Sequence, residues 1–224
     1  MNYALHHIYL TIITMIHLYL TTVFLIRPYS RPFINPTFLR SIRKVFSDVA
    51  IKVEIENEEK MEALGSLFAS SAEVGDVLLL RGLSFTEICF FNLNSVIGDL
   101  GAGKTTFTRG YLRTIYNDKS MLVTSPSYLL DNKYDIGEGA SIHHMDLYRL
   151  PSNSNLSFLG IPGIFDEAVC LIEWPERLGN FAPKSYVDIN LTINEDESRM
   201  AKINYVGDRW ISRAKLIEES LGEL

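Results

Sequence analysis

Eight residues decide the fold, and they are Gly98-Asp99-Leu100-Gly101-Ala102-Gly103-Lys104-Thr105. They satisfy the pattern G-x-x-x-x-G-K-[ST], in which the glycines let successive backbone N–H groups converge on phosphate oxygens. A helix pattern begins at Lys104 and runs to Tyr116, so its positive dipole end faces the same anion. Lys104 is predicted to place its charge at the β- and γ-phosphates, and the Thr105 hydroxyl to ligate Mg²⁺. This stretch therefore predicts a loop that binds nucleotide phosphates.

Two carboxylates follow strand-like runs downstream of the loop. Glu173 closes the apolar run 169–172, and Asp146 closes the run 141–145. Hydrolysis of a bound nucleotide needs a carboxylate near the metal and a means of positioning water. We therefore predict that Lys104, Asp146 and Glu173 are the catalytic residues, with Thr105 and Glu173 at the metal.

The pattern along the chain predicts an α/β domain of the P-loop NTPase type, with three layers. Helix patterns cover 59–70 and 104–116, and Asp208 is placed to begin a last helix that ends at Leu221. Strand-like runs cover 77–80, 121–124, 141–145, 169–172, 186–193 and 200–206. Helices alternate with the early strands, and the last two strands are adjacent and suit a hairpin. A mixed, mainly parallel sheet flanked by helices is the predicted architecture.

Two local patterns resemble a guanine-binding motif and a zinc site, but their sequence context argues against both. Asn132-Lys133-Tyr134-Asp135 has the form of the guanine-reading N-K-x-D motif, but it lies only 28 residues beyond Lys104 with no D-x-x-G between them. We therefore predict ATP rather than GTP as the nucleotide. The pair His143 and His144 has no further ligand at metal spacing, so a zinc site is not predicted there.

The first 47 residues differ in composition from the rest. They carry five basic residues and no acid, which leaves 16 basic and 27 acidic residues from Asp48 onward, a net charge of −11. A domain with this net negative charge is a poor candidate for binding a nucleic-acid backbone by itself, because phosphate contacts need clustered Lys and Arg. Residues 3–26 are uncharged and residues 27–47 are basic, hydroxylated and acid-free. We predict a segment 1–47 that targets the domain 48–224 to a plastid or mitochondrion. A retained membrane anchor at 3–26, and an over-extended gene model with a cytoplasmic protein, stay open as alternatives.

Six segments of the body carry a family resemblance. They are G-D-L-G-A-G-K-T-T-F at 98–107, R-G at 109–110, S-P-S-Y at 125–128, H-M-D-L-Y-R at 144–149, L-G-I at 159–161 and L-I-E-W-P-E at 171–176. In this order they resemble the bacterial-type threonylcarbamoyladenosine biosynthesis ATPases called TsaE or YjeE. The resemblance covers residues 54 to 205, nearly all of the body.

The resemblance implies a weak ATPase that acts within a complex. Members support threonylcarbamoyl modification of adenosine 37 in tRNAs that read ANN codons, together with the transferase and its paralogous companion subunit, so tRNA is contacted only indirectly. By motif, Asp146 and Ser127 correspond to groups that sense the γ-phosphate, and Trp174 packs beside Glu173. Arg149 pairs either with Asp146 or with a partner. The nucleotide contacts predicted in this way are Gly98, Asp99, Leu100, Gly101, Ala102, Gly103, Lys104, Thr105, Thr106, Ser127, Trp174 and Arg199.

Two departures from the family pattern affect the predicted site. Met61 stands where the family usually has a threonine near the nucleotide base, so that contact is not predicted. Residues 83–98 form an apolar segment without a family counterpart, and joining Arg81-Gly82 to Asp99-Leu100 restores the family sequence. Our hypothesis is a retained intron of whole-codon length, and a transcript that encodes Phe90 and Phe91 would end it. If the segment is translated, either 77–80 or 88–91 must lead into the phosphate loop.

Two other functions are compatible with the loop. A small-molecule kinase would need an arginine-rich lid, whereas Arg149, Arg177 and Arg199 are scattered. A nucleotide-gated adaptor without useful turnover would need only the binding loop. Turnover measured beside the partners separates the adaptor from the ATPase.

Overall fold

The structure of the chain is a computed structural model that describes residues 50–84, 101–152 and 154–222. The predicted targeting segment 1–47 and most of the predicted extra segment 83–98 lie outside these residues. Within them, no helix has both the length and the apolar character needed to cross a membrane. The described strands are β1 (Ile51–Ile55), β2 (Val77–Ser84), β3 (Asp131–Gly137), β4 (Ala140–Asp146), β5 (Val169–Glu173), β6 (Tyr186–Ile193) and β7 (Arg199–Val206). The described α-helices are α1 (Glu58–Ala69), α2 (Lys104–Ile115), α3 (Ile164–Glu167) and α4 (Ile211–Leu221).

The seven strands form one mixed sheet in the order β1-β7-β6-β2-β5-β4-β3. The four central strands β6, β2, β5 and β4 run parallel, while β7, β1 and β3 join antiparallel at the two sides. Strands β6 and β7 are the predicted hairpin. Helices cover both faces, so the predicted P-loop type α/β class is confirmed.

The central strands are apolar on both faces because both faces are covered. In β2, Leu78 and Leu80 face the core beneath α1, α2 and α4, whereas Val77 and Leu79 face a second core beneath α3 and the short 3₁₀ segments. All five residues of β5 are buried. β2 lies between β6 and β5 and pairs with β6 from Leu78 to Ser84, so the predicted run 77–80 belongs to a central strand. The run 88–91, the other candidate to lead into the phosphate loop, lies outside the described residues.

One predicted strand is wrong. Residues 121–124 form no strand, and the Leu122 side chain is 84% exposed. The strand beside β4 at this edge of the sheet is β3, and a short turn that contains Gly137 and Gly139 connects the two. A hairpin closes with a much shorter loop than a pairing of 121–124 with β4 would need. The N-K-x-D sequence lies on β3 at the edge of the sheet.

Helices α1 and α2 pack against each other through glycines. A Cβ built on Gly65 would lie 2.0 Å from the carbonyl oxygen of Phe107, and one built on Gly110 would lie 2.0 Å from the carbonyl oxygen of Glu62. Both obstacles are backbone atoms, so the helices would have to separate to admit a methyl group. This close approach fixes the helix that follows the phosphate loop.

We expect Gly65→Ala to lower the free energy of unfolding by about 1–3 kcal/mol, because the cost of overpacking exceeds the gain from the better helix propensity of alanine. Urea unfolding of the full-length chain measures this. The matched control is Gly163→Ala, where the backbone is helical and the nearest atom to the new Cβ is 3.5 Å away. The control should be neutral or slightly stabilising. Equal effects of the two substitutions would contradict the tight helix contact.

Candidate functional site

Two acids meet at the carboxyl edge of the parallel strands. Asp146 ends β4 and Glu173 ends β5, and the strand register makes the two residues direct neighbours, with Leu80 of β2 beside Glu173. Both carboxylates are buried, at 4% and 3% exposure. The predicted strand ends therefore bring the two acids together.

The start of α2 lies at the same edge. Gly101 and Gly103 have φ values of 87° and 105°, which are left-handed conformations that favour glycine. Beyond them, the Thr105 hydroxyl donates a hydrogen bond to Oε1 of Glu173 at 2.8 Å. Gly98, Asp99 and Leu100 lie outside the described residues, and Ala102 is fully buried.

Met61 packs directly under the loop. A Cβ on Gly103 would lie 2.8 Å from Cε of Met61, whose side chain is buried on α1. Met61, which replaces the threonine usual in the family, therefore packs against the phosphate loop at Gly103.

Lys104 is held by an aromatic pair. Its Nζ lies 4.8 Å from the centre of the Trp174 ring, and that ring packs on Tyr148 with 4.6 Å between centroids. Trp174 follows β5 in a left-handed conformation with φ of 61°. The turn after Glu173 thus places the indole beside the lysine ammonium.

Asp146 ties two loops to the sheet edge. Its Oδ2 accepts a hydrogen bond from the Ser125 hydroxyl at 2.7 Å, and its Oδ1 accepts one from the backbone N–H of Tyr148 at 3.0 Å. Arg149 makes no salt bridge within residues 50–84, 101–152 and 154–222; its guanidinium lies 4.2 Å from the centre of the Tyr128 ring. Asp146 is bonded to Ser125 and to the Tyr148 N–H instead. Of the two pairings predicted for Arg149, the one with Asp146 is therefore not formed in this structure.

These groups enclose one cleft of about 390 Å³. Arg199 is not part of its lining; its Nη2 donates a hydrogen bond to the carbonyl oxygen of Gly101 at 3.4 Å. Tyr148 and Ser125 line the cleft although the sequence analysis named neither as a site residue. The lining residues are Gly101, Gly103, Lys104, Thr105, Thr106, Ser125, Ser127, Asp146, Tyr148, Arg149, Glu173 and Trp174.

The lining fits a magnesium nucleotide. Among the described residues other than its two chain neighbours, no atom lies within 4 Å of a Cβ built on Gly101, so this part of the loop leaves room for phosphate. The ammonium of Lys104 suits an anion, and the hydroxyl and carboxylate oxygens of Thr105 and Glu173 are the hard ligands that Mg²⁺ prefers. Together, the parallel strands, the glycine loop and α2 define a protein of the P-loop NTPase class.

Comparison with known proteins narrows this class. The family model described as threonylcarbamoyl adenosine biosynthesis protein TsaE matches residues 55–201, so the chain belongs to the TsaE family. The resemblance found in the sequence motifs is confirmed.

Individual relatives agree. The chain is similar to the tRNA threonylcarbamoyladenosine biosynthesis protein TsaE of Bacillus subtilis, at 31% identity over 161 residues, 71% of this chain and 89% of the relative. The TsaE protein of Haemophilus influenzae is 43% identical over 100 residues, which is 44% of this chain and spans 61% of the relative's length. Among solved structures, YdiB of Bacillus subtilis matches with a TM-score of 0.55 and 27% identity, covering 78% of this chain and 95% of that chain.

Proposed function

We propose that this protein is a Mg-ATP-dependent ATPase subunit required for threonylcarbamoyl modification of adenosine 37 in tRNAs that read ANN codons. The observation that carries the proposal is the 2.8 Å hydrogen bond from Thr105 to Glu173 beside Lys104. It joins a hydroxyl at the start of α2 to an acid at the end of β5, the two oxygens that a metal on a bound triphosphate requires. Family membership supplies the pathway.

Each group in the cleft then has a defined task. The loop N–H groups and Lys104 hold the phosphates, and Lys104 moves its charge from the Trp174 ring toward them. Thr105 and Glu173 would hold Mg²⁺, which when bound neutralises charge on the β- and γ-phosphate oxygens. Asp146 would face the γ-phosphate, and its bonds to Ser125 and the Tyr148 N–H would couple that position to two loops.

The proposed partners are the transferase and its companion subunit. An acidic body is unsuited to holding tRNA alone, so RNA contact is assigned to the partners. Leu122, Tyr128 and Leu129 are 84%, 82% and 74% exposed, and all three lie in the loop that carries Ser125 and Ser127. Apolar side chains exposed together are typical of protein interfaces. The loop could thereby transmit the state of the cleft to a bound partner.

We expect Glu173→Gln to retain ATP binding while turnover falls by about 100- to 1,000-fold, because the amide keeps the side-chain shape and loses the charge that acts in the reaction. Phosphate release and ATP affinity, both measured on the full-length chain with partners, test this. The matched control is Glu176→Gln, three residues on, whose carboxylate lies 3.6 Å from Arg81 outside the cleft. Wild-type turnover in Glu173→Gln would contradict the proposed role of the acid.

A nucleotide-gated adaptor without turnover is the alternative outcome of the same experiment. In that case, ATP binding would be normal and phosphate release would be absent in the unchanged chain as well as in the variant.

A further inference from the structure

His144, a buried histidine of β4, contacts the site acid Glu173. His144 has 0% side-chain exposure and occupies the position two residues before Asp146, so both side chains leave β4 on the face that carries α2. Its Nε2 lies 2.9 Å from Oε1 of Glu173. His143, the preceding residue, leaves the opposite face and bonds to Asp131 at 2.7 Å.

The hydrogen bonds assign the tautomer of His144. A carboxylate oxygen only accepts, so Nε2 carries the hydrogen and donates it to Glu173. In the described part of the chain, Nδ1 of His144 is buried without a hydrogen-bond partner. Leaving a bare lone pair in that position is less costly than burying an unpaired N–H, which supports the same tautomer.

Both hydrogen bonds to the Glu173 carboxylate reach the same oxygen. Oε1 accepts from Thr105 at 2.8 Å and from His144 at 2.9 Å, one donor from α2 and one from β4. Two rigid elements therefore fix the rotation of the carboxylate. Among the described residues, no hydrogen bond reaches Oε2, so that oxygen is the one left to serve the metal or its water.

We propose that His144 is a positioning residue that sets the orientation of the Glu173 carboxylate for Mg²⁺, an inference that rests on the proposed function. Without the histidine, the carboxylate keeps a single donor among the described residues, the Thr105 hydroxyl, which is itself a predicted metal ligand. When the hydroxyl turns to the metal, His144 is the donor that still holds Glu173 in place. Partners of this kind, behind a metal ligand, orient the ligand and tune its affinity for the metal.

The test is the Mg²⁺-dependent gain in ADP affinity of the full-length chain, measured by isothermal titration calorimetry with Mg²⁺ and with EDTA. In His144→Leu, we expect ADP affinity in EDTA to stay within about 2-fold and the gain from Mg²⁺ to fall by about 10- to 100-fold. His144→Gln offers an amide N–H at nearly the position of Nε2 and should restore the gain to within about 3-fold. His144→Asn, whose amide falls short of Glu173, should behave as the leucine variant and replaces it if leucine prevents folding.

The matched control is His143→Leu, a change of the same type one residue away on the other face, which should leave the Mg²⁺ gain unchanged. Three results would overturn the inference: a full Mg²⁺ gain in both His144→Leu and His144→Asn, an equal loss of affinity in EDTA, or no rescue by His144→Gln. If the unchanged chain shows no Mg²⁺ gain at all, the proposed function fails together with the inference.

Discussion

Lys104→Ala is expected to reduce ATP turnover by at least about 100-fold, the loss typical of removing one preorganised charge that acts on the reacting group. Lys104 begins α2 beside the two loop glycines and is only 5% exposed, held over the Trp174 ring. An alanine there removes the lysine charge from the cleft, so only the backbone N–H groups of the loop remain to bind the phosphates of ATP. Affinity for ATP should also fall, by about 10-fold or more, since hydrogen bonds to charged groups contribute about 1.5–3 kcal/mol.

The control for this change is Lys215→Ala. Its side chain is 76% exposed on α4 and lies 3.8 Å from Glu219, an exposed pair of the kind that contributes little. Turnover and affinity should match those of the unchanged chain. Normal affinity and normal turnover in Lys104→Ala would contradict the proposal that this loop binds the phosphates of ATP.

Asp76→Ala is expected to have the largest effect on stability. Asp76 is fully buried before β2 and accepts a hydrogen bond from Nη1 of Arg213 at 2.7 Å and a second from Nη2. Arg213 itself is 8% exposed and belongs to α4, so the pair joins the C-terminal helix to the central strand. Removing the acid leaves a buried guanidinium with only the Ser71 carbonyl oxygen and the more distant, exposed Glu73 beside it, and the free energy of unfolding should fall by about 3–5 kcal/mol.

Glu73→Ala is the matched control, because Glu73 lies 3.9 Å from the same arginine with 60% of its side chain exposed. It should change stability by less than about 1 kcal/mol. Urea unfolding of the full-length variants gives both values. A loss below about 1 kcal/mol in Asp76→Ala would show that the buried pair does not hold α4 to the domain.

The sequence predicted the central elements because their patterns are strong. The run 77–80 and the run 169–172 are continuous apolar segments, as strands buried on both faces must be, and Glu58–Ala69 has apolar residues at helical spacing. The edge of the sheet was harder. β3 has the polar sequence D-N-K-Y-D-I-G, which lacks apolar alternation because its residues are exposed or only partly buried on both faces of the sheet. β1 alternates clearly as I-K-V-E-I, a signal that the strand assignment overlooked.

The site was predictable as a set of positions but not as a set of bonds. Lys104, Asp146 and Glu173 could be named because each stands at the end of a recognisable loop or strand. The partners of the two acids depend on the register of β4 against β5, which pairs Asp146 with Glu173, 27 positions further along the chain. That register is set by packing across the whole sheet. His144 could still have been found, since a residue two before a site acid on a strand shares its face.

The central claim is that the cleft hydrolyses ATP under the control of the transferase pair. The most direct test is Mg-ATP turnover by the full-length chain, alone and with the transferase and its companion subunit, beside Lys104→Ala. We expect slow turnover by the chain alone, a sharp rise with the partners, and loss of both in Lys104→Ala. Turnover that is indifferent to the partners, or no turnover in their presence, would contradict it.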